Sequence, residues 1–283
     1  MIYLFDCDLN GSDSIQHLID QKKIEYIPTP SQEIFERTCI KLLPKVQKGD
    51  LIIVDTIASL AETSRLDAKL GSDSSKNLLD KKHLYLDGDK NYLTVYSWSG
   101  DSIIRRLKNF IGTDVGCRVI TTSHESEEID PASLTKKRAP ELNPALFKTI
   151  IRVTSDIFRM YELFDPIMKA DGQSVAVPAG ERMLQLRKSD DAVTKYHVVP
   201  EHARNVPKTM VVPLTGGLHR LYEKLHKRPT WLHIYGVAGV GKTTFICSEA
   251  DPPPTSRGKK EVALDATPAE PVISATVGPT AGV

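Results

Sequence analysis

Short apolar runs that end in acids, amphipathic helical stretches between them, and one glycine-rich loop together predict an α/β fold. The core is a mostly parallel sheet flanked by helices. Residues 2–6 (IYLFD), 24–27 (IEYI), 51–54 (LIIV), 118–122 (RVITT) and 231–235 (WLHIY) have the length and apolar character of buried parallel strands. A strand–helix alternation of this kind needs crossover connections, which place helices on both faces of the sheet.

The elements follow in order. After the first strand, Asn10, Gly11 and Ser12 break the chain, and Ser12 or Asp13 caps a helix running to about Lys22. Residues 24–27 form the second strand, and residues 28–31 a turn. Ser31 then opens a helix with Ile34, Phe35, Leu42, Leu43 and Val46 on one face. Gly49 and Asp50 punctuate before the third strand, which ends in Asp55. Residues 62–92 are polar and irregular, and predict an insertion or long loop over the carboxyl edge of the sheet. Residues 101–110 predict a helix with Ile103, Ile104 and Leu107 inward, followed by the strand at 118–122.

Residues 124–147 are too polar for a core and predict a mobile loop. From Thr149 onward, TIIRVTSDIFRMYEL, QSVAVPA, ERMLQLRK and KYHVV predict antiparallel strands on one edge. Residues 218–225 predict a helix, 231–235 a strand, and Lys242 to about Glu249 a helix. Residues 251–283, rich in Pro, Ala, Thr, Gly and Val without helical period, predict a disordered tail behind a core at 1–250.

Composition narrows the function classes. Apolar residues make up 40% and charged residues 26%, ordinary values for a globular domain. The formal net charge of +1 gives no global field for nucleic acid or membrane, so any such surface is a local patch. The chain carries no long apolar run, and its start meets Asp6 and Asp8 too early for a signal peptide, so a cytoplasmic protein without membrane contact is expected. Cys7, Cys39, Cys117 and Cys247 are scattered without zinc-ligand spacing and read as buried, reduced thiols.

The chemistry concentrates in the run Gly236, Val237, Ala238, Gly239, Val240, Gly241, Lys242, Thr243, Thr244. Its first eight residues fit G-x-x-x-x-G-K-[ST] at every fixed position, with an apolar strand before and helix-compatible residues after. Glycines let backbone N–H groups turn toward phosphate, and the helix amino end adds partial positive charge. Lys242 is placed to reach the outer phosphates of ATP, and the Thr243 hydroxyl to bind Mg2+. A chance glycine-rich turn is the bland alternative. Asp55, at the end of an apolar strand, is the candidate second Mg2+ carboxylate, or else caps the following helix. Of the acids ending the first strand, Asp8 is the candidate for activating water, while Asp6 is more exposed to a turn or capping role. His124, after the strand at 118–122, is a candidate γ-phosphate sensor or a structural histidine.

The glycine-rich loop stands near the end of the chain, while the strands that conventionally follow it stand at the beginning. Joining residue 250 to residue 1 restores the conventional order, so the chain reads as circularly permuted, with the joint bridging the usual ends at 226–230. In that order it resembles the RecA-like P-loop ATPases, in particular the compact phage recombination ATPases that carry only a RecA core. The likeness rests on HIYGVAGVGKTTF, YLFDCD, LIIVDTIASL and VITTSH, and covers roughly residues 1–60 and 95–250. It implies a Mg2+-dependent ATPase with catalytic roles for Asp8, Lys242 and His124, and Mg2+ held by Thr243 and Asp55. Asp8 stands where the family commonly has Glu, which shortens the reach to water.

The resemblance further implies single-stranded DNA as partner, contacted by the stretch after His124, and a homo-oligomer. Lys136, Lys137 and Arg138 are the cations there, opposed by Glu125, Glu127, Glu128 and Asp130; alone they read as a solvated face. Arg105, Arg106 and Lys108 read as the exposed side of a helix. Arg187, Lys188, Lys195 and Arg204 are candidates for reaching a neighbouring subunit's nucleotide. Two other readings stand beside a DNA-dependent ATPase. One is a nucleotide-gated regulatory or assembly ATPase without DNA; the other is a protein that has lost catalysis and binds nucleotide structurally.

Overall fold

The computed structural model describes residues 1–70, 92–112, 114–129, 136–168, 174–189, 191–197, 202, 205–213 and 215–250. The tail expected at 251–283, Arg204 and Asp130 lie outside them.

Eight strands form one sheet in the order β2-β1-β3-β4-β10-β7-β8-β9. The five predicted strands are all present: β1 (Ile2–Asp6), β2 (Ile24–Pro28), β3 (Leu51–Asp55), β4 (Arg118–Ser123) and β10 (Trp231–Tyr235). They run parallel with one another, and β10 also pairs in parallel with β7 (Asp156–Met168). Beyond β7 the sheet turns antiparallel through β8 (Ser174–Gln185) and β9 (Thr209–Val211). The chain is thus α/β, with a large, mostly parallel central sheet and an antiparallel edge.

Alternate side chains enter two cores, because successive residues of a strand point to opposite faces. Leu4, Ile53, Ile120, Ile234 and Met160 lie on one face, under α1 (Gln16–Asp20), α6 (Gly217–Leu225) and α7 (Lys242–Cys247). Phe5, Val54, Val119 and Trp231 lie on the other, under α2 (Gln32–Leu42), α3 (Ile57–Leu70), α4 (Tyr92–Ile111) and α5 (Pro144–Val153). Ser31 caps α2 by accepting the Ile34 N–H. Asn143 caps α5 by accepting the Leu146 N–H, with Pro144 at the first helical position.

Several expectations are corrected. The first helix is shorter than expected: a 3-10 turn at Asp13–Ile15 leads into α1, which ends at Asp20. In α2, Ile34 faces solvent, and the buried positions include Glu36 and Cys39. Glu36 is tolerated because Ser102 and Gln32 donate to it and Arg106 pairs with it. Residues 62–70 belong to α3 rather than to a loop; residues 71–91 lie outside the described residues, and α4 begins at Tyr92. The expected mobile loop at 124–147 contains an antiparallel hairpin of β5 (Glu125–Ile129) and β6 (Lys136–Pro140), followed by α5. The β-branched run at 149–153 closes α5, so β7 starts only at Asp156. In the KYHVV segment Lys195 makes an isolated bridge to Ile157, and residues 198–199 lie outside the described residues.

All four cysteines are buried and unpaired. Among the described residues no helix is long and apolar enough to cross a membrane.

Candidate functional site

Parallel register brings the ends of four strands level. Asp6 pairs with Asp55 across β1 and β3, and Ser123 with Tyr235 across β4 and β10. The chain leaves all four strands on this edge, where open α/β sheets place ligand sites. The loop after β1 and the loop after β10 close over it, forming a cavity of about 480 Å³.

Asp6 shapes the first wall. It is buried and accepts hydrogen bonds from the N–H groups of Leu9 and Gly11, each at 3.0 Å, and from the Tyr26 hydroxyl at 2.9 Å. Burial, with Asp6 beside it, pushes the Tyr26 hydroxyl up to about 12. Asp6 therefore organises the turn, and the turn delivers Asp8 to the cavity. Asp8 accepts from the Thr56 hydroxyl at 3.3 Å and stands 3.4 Å from Nε2 of His124. Thr56 is held in turn by Ser59, at 2.8 Å. The Asp55–Thr56 peptide bond is cis.

Asp55 is buried at the bottom. One of its oxygens accepts from the Thr122 hydroxyl and the other from the Thr243 hydroxyl. Burial pushes its carboxyl up; the two hydroxyls and Lys242 pull it down, and burial prevails. Lys242 is also buried, and its ammonium donates to the carbonyls of Gly236 and Val237 at 2.9 and 3.0 Å. Burial lowers its pKa against the pull of Asp55, Asp8 and Glu125.

The loop at 236–243 takes its shape from its glycines. Gly239 and Gly241 have φ of +76° and +85°, a region that L side chains rarely enter. A Cβ on Gly236 would meet the Met160 carbonyl oxygen of β7 at 2.1 Å. Ala238, Gly239, Gly241, Lys242, Thr243 and Thr244 line the cavity, whereas Gly236 and Val240 are buried and Val237 is exposed. Asp8, Asp55 and His124 line the same cavity, so the candidate catalytic and metal residues converge.

His124 also borders a second cavity of about 440 Å³, with Ser59, Glu62, Glu141 and Asn143. Its carbonyl accepts the Glu141 N–H at 2.8 Å, which closes the base of the β5–β6 hairpin. Arg159 grips Glu125, the next residue, through two hydrogen bonds of 2.6 and 3.0 Å.

The other sequence candidates lie apart. Lys136 pairs with Glu127 at 2.7 Å, and Arg138 with Glu125, Glu127 and Asp191 at 3.4 to 3.6 Å. Lys137 is exposed. Lys195 donates to the Ile151 and Thr154 carbonyls at the end of α5, where a cation meets the helix dipole. Arg105 and Lys108 are exposed on α4, as expected, while Arg106 turns to Glu36.

Arg182 on β8 is among the lining residues that escaped the sequence reading. The signal was there, because in ERMLQLRK the period of two puts Arg182 in the row of Leu184 and Leu186.

Beneath the cavity, fully buried His233 of β10 lies between the hydroxyls of Thr121 and Ser123, at 2.9 and 3.1 Å. A neutral imidazole, one donor and one acceptor, suits both. Burial holds its pKa down at about 3. A depressed histidine gives stability that is complete above its unfolded pKa of about 6.5 and is lost as pH falls toward the folded value. In that window wild type is expected to lose about 1.4 kcal/mol per pH unit more than His233→Gln, measured by denaturant unfolding. Parallel pH profiles would show that His233 is not the titrating group.

Comparison with family models, curated proteins and solved structures returned no match. The functional reading rests on the residues and their geometry.

Proposed function

We propose that this chain is a Mg2+-dependent ATPase of the RecA-like class, circularly permuted, that acts on single-stranded DNA in recombination or annealing. One observation carries the reading: the glycine-rich loop, Asp55, Asp8 and His124 converge on a single cavity at the carboxyl edge of the sheet. Strand order supports the permutation. β10 lies between β4 and β7, and the strands that conventionally follow it, β1 to β4, precede it in the chain. Residues 226–230, between α6 and β10, would be the joint between the usual ends.

The residues fit a nucleotide and its metal. Gly239 and Gly241 already hold the positive φ that lets a backbone wrap around phosphate. Among the described residues Lys242 is held by loop carbonyls and ion-paired to no carboxylate, so its charge is available to phosphate oxygens. Thr243 and Asp55, joined by a hydrogen bond, are the hydroxyl and carboxylate that would hold Mg2+. Mg2+ supplies neutralisation of charge between the outer phosphates when bound. Asp8 orients and deprotonates the attacking water, held by Thr56 and His124. Lys242 stabilises charge on the γ-phosphoryl oxygens during in-line displacement.

His124 links this chemistry to the hairpin, because it stands beside Asp8 and its carbonyl closes the hairpin base. A change of its contacts on hydrolysis would move the segment bearing Lys136, Lys137 and Arg138. A second reading, a regulatory or assembly ATPase that binds no DNA, is favoured by the pairing of Lys136 and Arg138 with acids of the same hairpin and with Asp191.

ATP hydrolysis with and without single-stranded DNA separates the two. Under the recombination reading DNA raises turnover several-fold, and added salt removes the stimulation, since phosphate contacts release counterions. Turnover indifferent to DNA selects the regulatory ATPase. Nucleotide binding without turnover leaves a scaffold and removes the catalytic role of Asp8. A homo-oligomer is proposed with the class, and sedimentation with and without nucleotide tests it.

A further inference from the structure

Arg182 is placed by the sheet, not by the loop it touches. Along β8, Leu184 packs in the core beneath α7, and two residues back the same row passes beyond the helix to the glycine-rich loop. There the guanidinium presses on the loop: a Cβ at Gly241 would meet Nη1 of Arg182 at 2.1 Å. It shares the cavity lining with Lys242 and Thr243. Glu162, its neighbour across the β7–β8 ladder, offers the obvious carboxylate. Yet Arg182 makes no ion pair or side-chain hydrogen bond with a described residue. A half-buried guanidinium against the glycine-rich loop, without an ion pair among the described residues, suits an anion, since its donors form a fork that matches phosphate oxygens.

We propose that Arg182 is a second phosphate-binding cation of this site, supplied by the same chain, and that it selects nucleotides by the charge of their phosphate chain. The inference rests on reading the cavity as a nucleotide site. Lys242 enters from the loop and Arg182 from the antiparallel edge, so the polyphosphate is gripped by two independent elements. A conventional sequence motif contains only the first. A cation already present in the same subunit also removes the need for a neighbour to supply this contact.

The test uses the full chain and fluorescent (N-methylanthraniloyl) ATP, ADP and AMP with Mg2+, titrated against wild type, Arg182→Ala and Arg182→Lys. Arg182→Ala is expected to weaken ATP binding by about tenfold or more and AMP binding less, with the ligand-free melting temperature unchanged. Arg182→Lys restores part of the loss, because an ammonium keeps the charge without the fork. Two results overturn the proposal while leaving the nucleotide reading intact. One is ATP affinity and turnover unchanged in Arg182→Ala. The other is an equal loss for all three nucleotides with a lowered melting temperature, which marks a packing role. Wild type that binds none of the three overturns the reading of the cavity, and this inference with it.

Discussion

Lys242→Ala is expected to reduce ATP hydrolysis by a factor of about 10² to 10³ or more, the usual cost of losing a charged group aimed at developing negative charge in a dry site. Its ammonium is buried and held by the carbonyls of Gly236 and Val237, so it is preorganised where the loop closes. Asp55, Asp8 and Glu125 raise its pKa, and burial lowers it further than they raise it. A phosphate would complete the set of oxygens around this cation, so removing the cation weakens the transition state and the bound nucleotide together. The fold is expected to survive, because the loop's shape depends on Gly239 and Gly241 and on the contact of Gly236 with β7. Steady-state turnover, titration with fluorescent ATP and a thermal melt check the three parts. Undiminished turnover in a folded variant would sink the assignment of the cavity as the hydrolytic site.

Much of the frame was legible, and the reasons are physical. The strands at 2–6, 51–55 and 231–235 are buried on both faces, so their sequences are continuous apolar runs. The acids that end the first two stand out against the apolar runs: Asp6 and Asp55, themselves buried, sit where the sheet meets the cavity. The glycine-rich loop was legible because its glycines answer backbone demands that no other residue meets at low cost.

What stayed hidden depends on partners far away in the chain. The β5–β6 hairpin has no apolar period, since charge pairs its strands: Glu127 lies opposite Arg138 and ion-pairs with it. Read alone, those residues are a polar loop. The run at 149–153 is β-branched and reads as strand, yet it is helical because Leu146 and Ile150 of the same turn set pack into the core beside Trp231. The role of Lys195 depends on two carbonyls at the end of α5, which no local pattern announces. His124 was legible as a residue after a strand, but its place between the cavity and the hairpin base required the fold.

Two glycines of the loop, Gly236 and Gly239, answer different demands, and substitution separates them. Gly236→Ala is expected to destabilise the protein by about 3 kcal/mol or more, at the upper end of overpacking costs. Its Cβ would lie 2.1 Å from the Met160 oxygen and 3.2 Å from Cγ1 of Val240. The first of these is backbone of the paired strand β7, so relief requires β10 and β7 to part in the middle of the sheet, beneath the cavity. Gly239→Ala meets nothing within 4 Å and costs only the strain of a φ of +76°, about 1 kcal/mol. Gly236→Ala should therefore unfold at markedly lower denaturant than Gly239→Ala, whether or not nucleotide is present. Equal midpoints for the two variants would mean that β7 can yield at Met160. The loop would then be held by its own conformation rather than by the sheet behind it.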